Sequence, residues 1–147
     1  MTSPRRKSRK VVMQCLYEMD ATGHDPYRTL ARLAEEESLS ASALPFANEL
    51  LKGVLTQRHG IDDLIGRYAR QFPVEQMAAV DRNLLRIAIF EILFHNKTPP
   101  KAVINEAVEL AKRFGSAHSS SFINGVLGNL MAAIPGSRTI HQVTSGR

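Results

Sequence analysis

The sequence predicts an all-α protein of about seven helices, arranged as two small bundle subdomains packed on each other. Apolar residues recur three and four positions apart along most of the chain, which is the helical period. Runs that alternate apolar and polar residues are scarce, so strands have little to build on. Proline and glycine fall between the periodic segments rather than within them. At 147 residues the chain is sized for one domain, divided here into residues 1–72 and 73–134 with a flexible polar tail at 135–147.

Ser3-Pro4 opens the first helix, with serine as cap and proline at the first helical position. Val12, Cys15, Leu16 and Met19 mark its buried stripe, and Gly23 ends it. Asp25-Pro26 repeats the start signal for a second helix through Tyr27, Leu30, Ala31 and Ala34, which the polar turn Glu37 to Ser42 closes. A third helix carries Phe46, Leu50 and Val54 and is expected to stop near Gly60. Ile61, Leu64, Ile65 and Tyr68 space a fourth. Pro73 lies in the joining segment, after which Val80 to Phe94 forms the strongest core helix, with Leu84, Leu85, Ala88 and Ile92 on its stripe. Asn96 to Pro100 stops that helix and starts the next, Lys101 to Phe114, with Gly115 as its C-cap. A serine near Ser119 caps the last helix, which buries Phe122, Ile123, Val126, Leu127 and Leu130.

Several function classes are excluded by what these residues are. One cysteine, Cys15, permits neither an internal disulfide framework nor a cysteine-rich zinc site, and its place on the buried stripe makes it an inert thiol. The five histidines, at 24, 59, 95, 118 and 141, lack metal-ligand spacing. No phosphate-loop or dinucleotide fingerprint appears, and His118 beside three serines lacks a nucleophile-elbow setting, so neither a cofactor nor an enzyme is expected. The longest apolar run, Leu84 to Phe94, is broken by Arg86 and Glu91 and does not span a bilayer. With no secretory signal pattern either, the expected compartment is the cytoplasm. Arg86 and Glu91 are read as a paired boundary contact, and the Asp62-Asp63 pair as part of a solvated face. Asn124 is read as bonding across subdomains, with Gly125 and Gly128 allowing close helix approach.

The charge is concentrated. The chain carries 19 basic and 14 acidic residues, net +5. Arg5, Arg6, Lys7, Arg9 and Lys10 supply five of the bases within six positions, and setting them aside leaves 14 against 14. Such a cluster suits a polyanion, although a solvated charge run is the commoner role of a basic terminus. Arg6, Lys10, Met13 and Tyr17 fall on one line of the first helix with Gln14 beside it, while Arg5 and Arg9 extend the apolar stripe. Cations at a helix N-terminus oppose its macrodipole, each costing about 0.3–1 kcal/mol when exposed. The helix front is therefore expected to fray until phosphates order it. Arginines grip phosphate and stack on bases, and Tyr17 is equally a stacking surface for an unpaired base or a boundary core residue. No large apolar residue lies among the cations, so single-stranded RNA fits better than a membrane. The reading requires that acidic neighbours do not consume these charges.

Arg5-Arg6-Lys7-Ser8-Arg9-Lys10 followed by Gln14-Cys15-Leu16-Tyr17 resembles the opening of the NusB family of bacterial transcription antitermination factors. Val80 to Ala88 is similar to that family's central helix, Pro100 to Gly115 to its next one, and Phe122-Ile123-Asn124-Gly125-Val126-Leu127 completes the pattern. The resemblance runs from about Arg5 to Leu130, and its second half is the specific part. It implies an all-helical fold of two subdomains and a protein that binds boxA RNA of ribosomal RNA transcripts together with NusE, a small-subunit ribosomal protein, inside an antitermination complex on RNA polymerase. It also implies that Arg5, Arg6, Arg9 and Lys10 contact RNA, with Tyr17 and Asp81 at the same face. Lys7 and Gln14 join that set from the helix pattern. His118 and Ser119 join it from the start of the last helix, where unpaired N–H groups can hold phosphate, although ordinary serine capping is the commoner role. His118 and Ser119 to Ser121 stand where relatives often carry acidic residues, which would remove repulsion toward RNA.

Two rival functions and one open question remain at the level of sequence. A similar helical domain precedes the catalytic domain of some ribosomal RNA cytosine methyltransferases, and a structural adaptor with a merely solvated basic cluster would bind no RNA. A homodimer that hides the RNA face stays open.

Overall fold

A computed structural model describes residues 3–70 and 73–134. The described residues form six α-helices and no strand. These are α1 (Pro4–Thr22), α2 (Pro26–Glu36), α3 (Ala43–Tyr68), α4 (Ala79–Phe90), α5 (Pro100–Phe114) and α6 (Ser119–Ala133). A 3₁₀ turn at Val74–Gln76 precedes α4, and a π-helical turn at Glu91–His95 extends it. The tail expected at 135–147 lies outside the described residues.

Local chemistry sets the starts of α1 and α2. The Ser3 hydroxyl accepts from the Arg6 amide at 3.1 Å, and Pro4 follows it. The Asp25 carboxylate accepts from the Tyr27 amide at 2.9 Å, again ahead of proline. Gly23 ends α1 in the left-handed region, φ 77°, which a side chain would resist.

Gly60 does not end a helix. The third and fourth expected helices are one 26-residue element, α3. Leu50, Val54, Ile61 and Ile65 are all buried, so the apolar stripe runs through the glycine without losing register. A glycine in a helix interior costs about 1 kcal/mol, too little to outweigh a shared buried face.

Helix α4 occupies the centre, packing on α1, α3, α5 and α6, and one hydrophobic cluster draws on all six helices. Gly53 of α3 faces the Phe90 ring of α4 so closely that a Cβ would overlap it. Close approach is thus made at Gly53; Gly125 and Gly128, expected to provide it, face open space on α6, and Asn124 beside them is exposed.

The charged residues of the core do not pair as expected. Arg86 holds Asp62 with two bonds of 2.8 and 2.9 Å and reaches Asp20 at 3.2 Å. Arg82 and Asn83 donate to the same Asp20 oxygen at 3.0 and 3.1 Å. This knot ties α1, α3 and α4 together, so Asp62 is not a merely solvated carboxylate, and Glu91 is left for another partner.

Candidate nucleic-acid interface

The five N-terminal cations lie on helix α1, but its front end is already held by other helices. Arg9 is only 5% exposed and donates through Nε and Nη2 to Glu91, itself 1% exposed, at 2.7 and 2.8 Å. Arg6 makes the same two-pronged contact with Glu106 of α5 at 2.9 Å for both bonds. The Lys10 ammonium meets the Glu37 carboxylate at 2.8 Å, and Lys7 donates to the Glu37 carbonyl at 2.8 Å. Arg5 donates to the Thr98 hydroxyl at 3.1 Å and lies 4.5 Å from the centre of the Phe46 ring.

The expectation of five free cations is therefore corrected. Glu91, Glu106 and Glu37 neutralise three of them, and the same carboxylates offset the macrodipole penalty that was expected to fray the helix. The Arg6 bond holds the Glu106 carboxyl below its ordinary range against the effect of burial, and the Lys10 bond does the same for Glu37. Arg9 carries a structural charge, because burial and Glu91 leave its guanidinium no open face for phosphate. Sequence reading missed these counter-ions since they stand 27 to 100 positions away along the chain. The one local signal was Glu91, an acid inside an apolar helix.

Beside these ion pairs a second line runs along α1, and the paired Arg6 side chain is itself still 39% exposed. Lys7, Lys10, Gln14 and Tyr17 follow one another at spacings of three and four, which aligns them on one face. Tyr17 is 46% exposed, whereas Met13, expected on this line, is buried. The Gln14 Oε1 is buried and accepts no hydrogen bond among the described residues. Arg113 from the last turn of α5 adds its field at Glu37. Lysine charge, an amide and an aromatic face thus share one surface, and Arg5 stands beyond its front end; among the described residues neither Arg5 nor Lys7 pairs with a carboxylate.

The remaining expected site residues lie elsewhere. Asp81 is in the first turn of α4, 8% exposed, with Oδ1 accepting no bond among the described residues. His118 is exposed at the N-cap position of α6. Ser119 is corrected from a helix cap or phosphate contact to a loop anchor. It is 1% exposed, and its hydroxyl accepts from the Ser116 amide at 2.9 Å. That seat explains Gly115, whose extended backbone needs no glycine but whose Cβ would collide with the Ser119 side chain. Among the described residues no hydrogen bond or ion pair joins Asp81, His118 or Ser119 to α1.

The described residues hold no group of three or more histidine, cysteine or acidic residues fit to bind a metal, and no helix long and apolar enough to cross a membrane. A family model described as the NusB family matches residues 6–132, which is most of the chain. The chain belongs to the NusB family.

A transcription antitermination protein NusB from Dehalococcoides mccartyi is 45% identical over 134 residues, covering 91% of this chain and 94% of its own. The solved structure of T. maritima NusB is 33% identical with a TM-score of 0.82, covering 90% of this chain and 94% of that one. A chain in the crystal structure of antitermination factors NusB and NusE in complex with double-stranded RNA is 25% identical with a TM-score of 0.82, covering 90% of this chain and 99% of that one. The NusB relatives are named for transcription antitermination and not for an enzymatic reaction.

Proposed function

We propose that this NusB-family chain is a cytoplasmic, non-enzymatic antitermination factor that binds boxA RNA together with NusE and joins a complex on RNA polymerase. The observation that carries the reading is the 45% identity, over nearly the full length of both chains, to a transcription antitermination protein NusB. The similarity to a chain solved with NusE and RNA supports the choice of partners. On this chain the RNA surface is the Lys7, Lys10, Gln14 and Tyr17 strip with Arg5, rather than the whole basic cluster. Lysines there supply point charge for phosphates and Tyr17 a stacking face. NusE tightens the complex if each partner pre-orders part of the RNA path, so that the two bind RNA better than either alone.

The test is a titration of boxA RNA into the protein with and without NusE over a range of salt. Log affinity falls with log salt by about 0.7 for each phosphate neutralised. The Lys7→Ala/Lys10→Ala variant binds more weakly and with a shallower slope while melting near the parent temperature. An unaltered slope removes the strip as the RNA site, and salt-independent or absent binding removes the function.

A further inference from the structure

A second surface, beyond the front end of α1, combines a fixed guanidinium with a row of aromatic rings. Arg5 has its guanidinium carbon over the Phe46 ring, 4.5 Å from its centre, and one of its five N–H groups is bonded to Thr98. Phe46 is 6.0 Å from the ring of His95, His95 is 5.5 Å from Phe90, and Phe90 is 6.3 Å from Phe94 with the last two planes 18° apart. The row starts buried and ends in water: Phe46 and Phe90 are 5% and 7% exposed, Phe94 47%.

The π-helical turn makes this arrangement. The Asn96 amide bonds to the Glu91 carbonyl five residues back at 3.1 Å, which widens the turn, and Asn96 closes it at φ 52°. Glu91 remains inward on Arg9 while Phe94, three residues on, reaches solvent. Such turns are uncommon and often accompany binding sites.

The charge of the surface selects its occupant. Glu49 is the carboxylate at this row, and it is already engaged by His95 at 2.9 Å and Lys97 at 3.6 Å. Arg5 has no carboxylate partner among the described residues. A ligand that offers negative charge and flat π-faces together satisfies both features, whereas a purely apolar partner would strand the cations.

We propose that Phe94 and the Arg5–Phe46 stack form a base-stacking platform that holds an unpaired nucleotide of the RNA beyond the Lys7–Lys10 strip. From Arg5 to Tyr17 the helix advances about 18 Å, so the RNA path has an aromatic or guanidinium face at each end with lysines between them. Arg5 is held by Phe46 and Thr98 before any RNA arrives, which lowers the ordering cost of binding. The inference rests on the RNA-binding reading above.

The experiment uses the full chain with NusE and boxA RNA oligonucleotides in which each nucleotide in turn is made abasic. Stacking of one base is worth a factor between about 5 and 150 in affinity. Phe94→Ala and Phe94→Leu each lose affinity in that range, Phe94→Trp retains it, and the salt slope stays that of the parent. Arg5→Lys keeps the charge but loses the planar face, and it too weakens binding without changing the slope. One abasic position weakens the parent but not Phe94→Ala, which couples that base to that ring. If Phe94→Leu binds like the parent, or no abasic position couples to Phe94, the platform is overturned while the lysine strip stands. In that case loss of NusE affinity in the same variants would assign the surface to a protein. Absence of salt-dependent RNA binding in the parent overturns both readings.

Discussion

Arg9 and Glu91 form a two-pronged ion pair of 2.7 and 2.8 Å at 5% and 1% exposure, so the most basic segment of the chain contributes a charge to its interior. A second carboxylate, Glu106, stands 3.9 Å from Arg9 and links the buried pair to the half-exposed Arg6 contact. The cation-rich helix front is thereby a structural part as well as a binding surface.

Breaking that pair leaves an uncompensated charge in the core, at about 3–5 kcal/mol. Arg9→Met and Glu91→Leu alone are each expected to unfold at markedly lower urea, while the double variant recovers most of the loss because it buries neither charge. A double variant whose loss equals the sum of the two single losses would show that the two side chains are not coupled.

The glycines of α3 are expected to respond with opposite sign. Gly53→Ala drives a Cβ into the Phe90 ring and costs about 1–3 kcal/mol through overpacking. Gly60→Ala meets open space in mid-helix and gains about 0.5–1 kcal/mol. Thermal melts of the two variants separate these outcomes, and a stabilised Gly53→Ala would contradict the close α3–α4 approach.

The contrast shows which features were legible in the sequence. Ser3-Pro4, Asp25-Pro26 and Pro100 marked helix starts because capping is decided within a few residues, and the structure begins α1, α2 and α5 there. Gly60 misled because its local cost was weighed without the stripe on either side. The π turn had no local signature, since Glu91 is held by a residue 82 positions away. The strip on α1 was read one position off: burial of Met13 moves the accessible line to Gln14, and the counter-ions that quiet Arg6, Arg9 and Lys10 come from α5, the turn after α4 and the C-cap of α2.

Acid is expected to loosen the fold in a defined window. Hydrogen bonds from His24, Arg32 and Thr29 hold the Glu18 carboxyl down to about 2, and Glu37, Glu49 and Glu106 are also lowered by their basic partners. Asp20 is lowered as well, because bonds from Asn83 and Arg82 outweigh the upward push of burial. A depressed native pKa gives stability that is complete above the unfolded value near 4.3 and is lost as pH falls through the native one. Urea midpoints therefore hold steady from neutral pH to about 5 and drop below about 4.5. Glu18→Gln drops less over the same range; a parallel decline would deny Glu18 this role.

Cys15 is expected to be silent. It is fully buried, and burial, with help from Glu18, pushes its thiol up to about 12. A disulfide reagent at mildly alkaline pH should label it only as fast as the molecule unfolds, since the thiolate is the reactive form. Rapid labelling of the native protein would be incompatible with the packing of α1.

Two ties on α1 join residues made far apart in synthesis. Arg6 meets Glu106 and Arg9 meets Glu91, at separations of 100 and 82 residues. At translation rates of about 5–20 residues per second, roughly 5–20 seconds pass before the later partner of Arg6 leaves the ribosome. Through that interval Arg6 and Arg9 lack their carboxylates beside a ribosome rich in RNA, and these two contacts of α1 form only after α4 and α5 have been made.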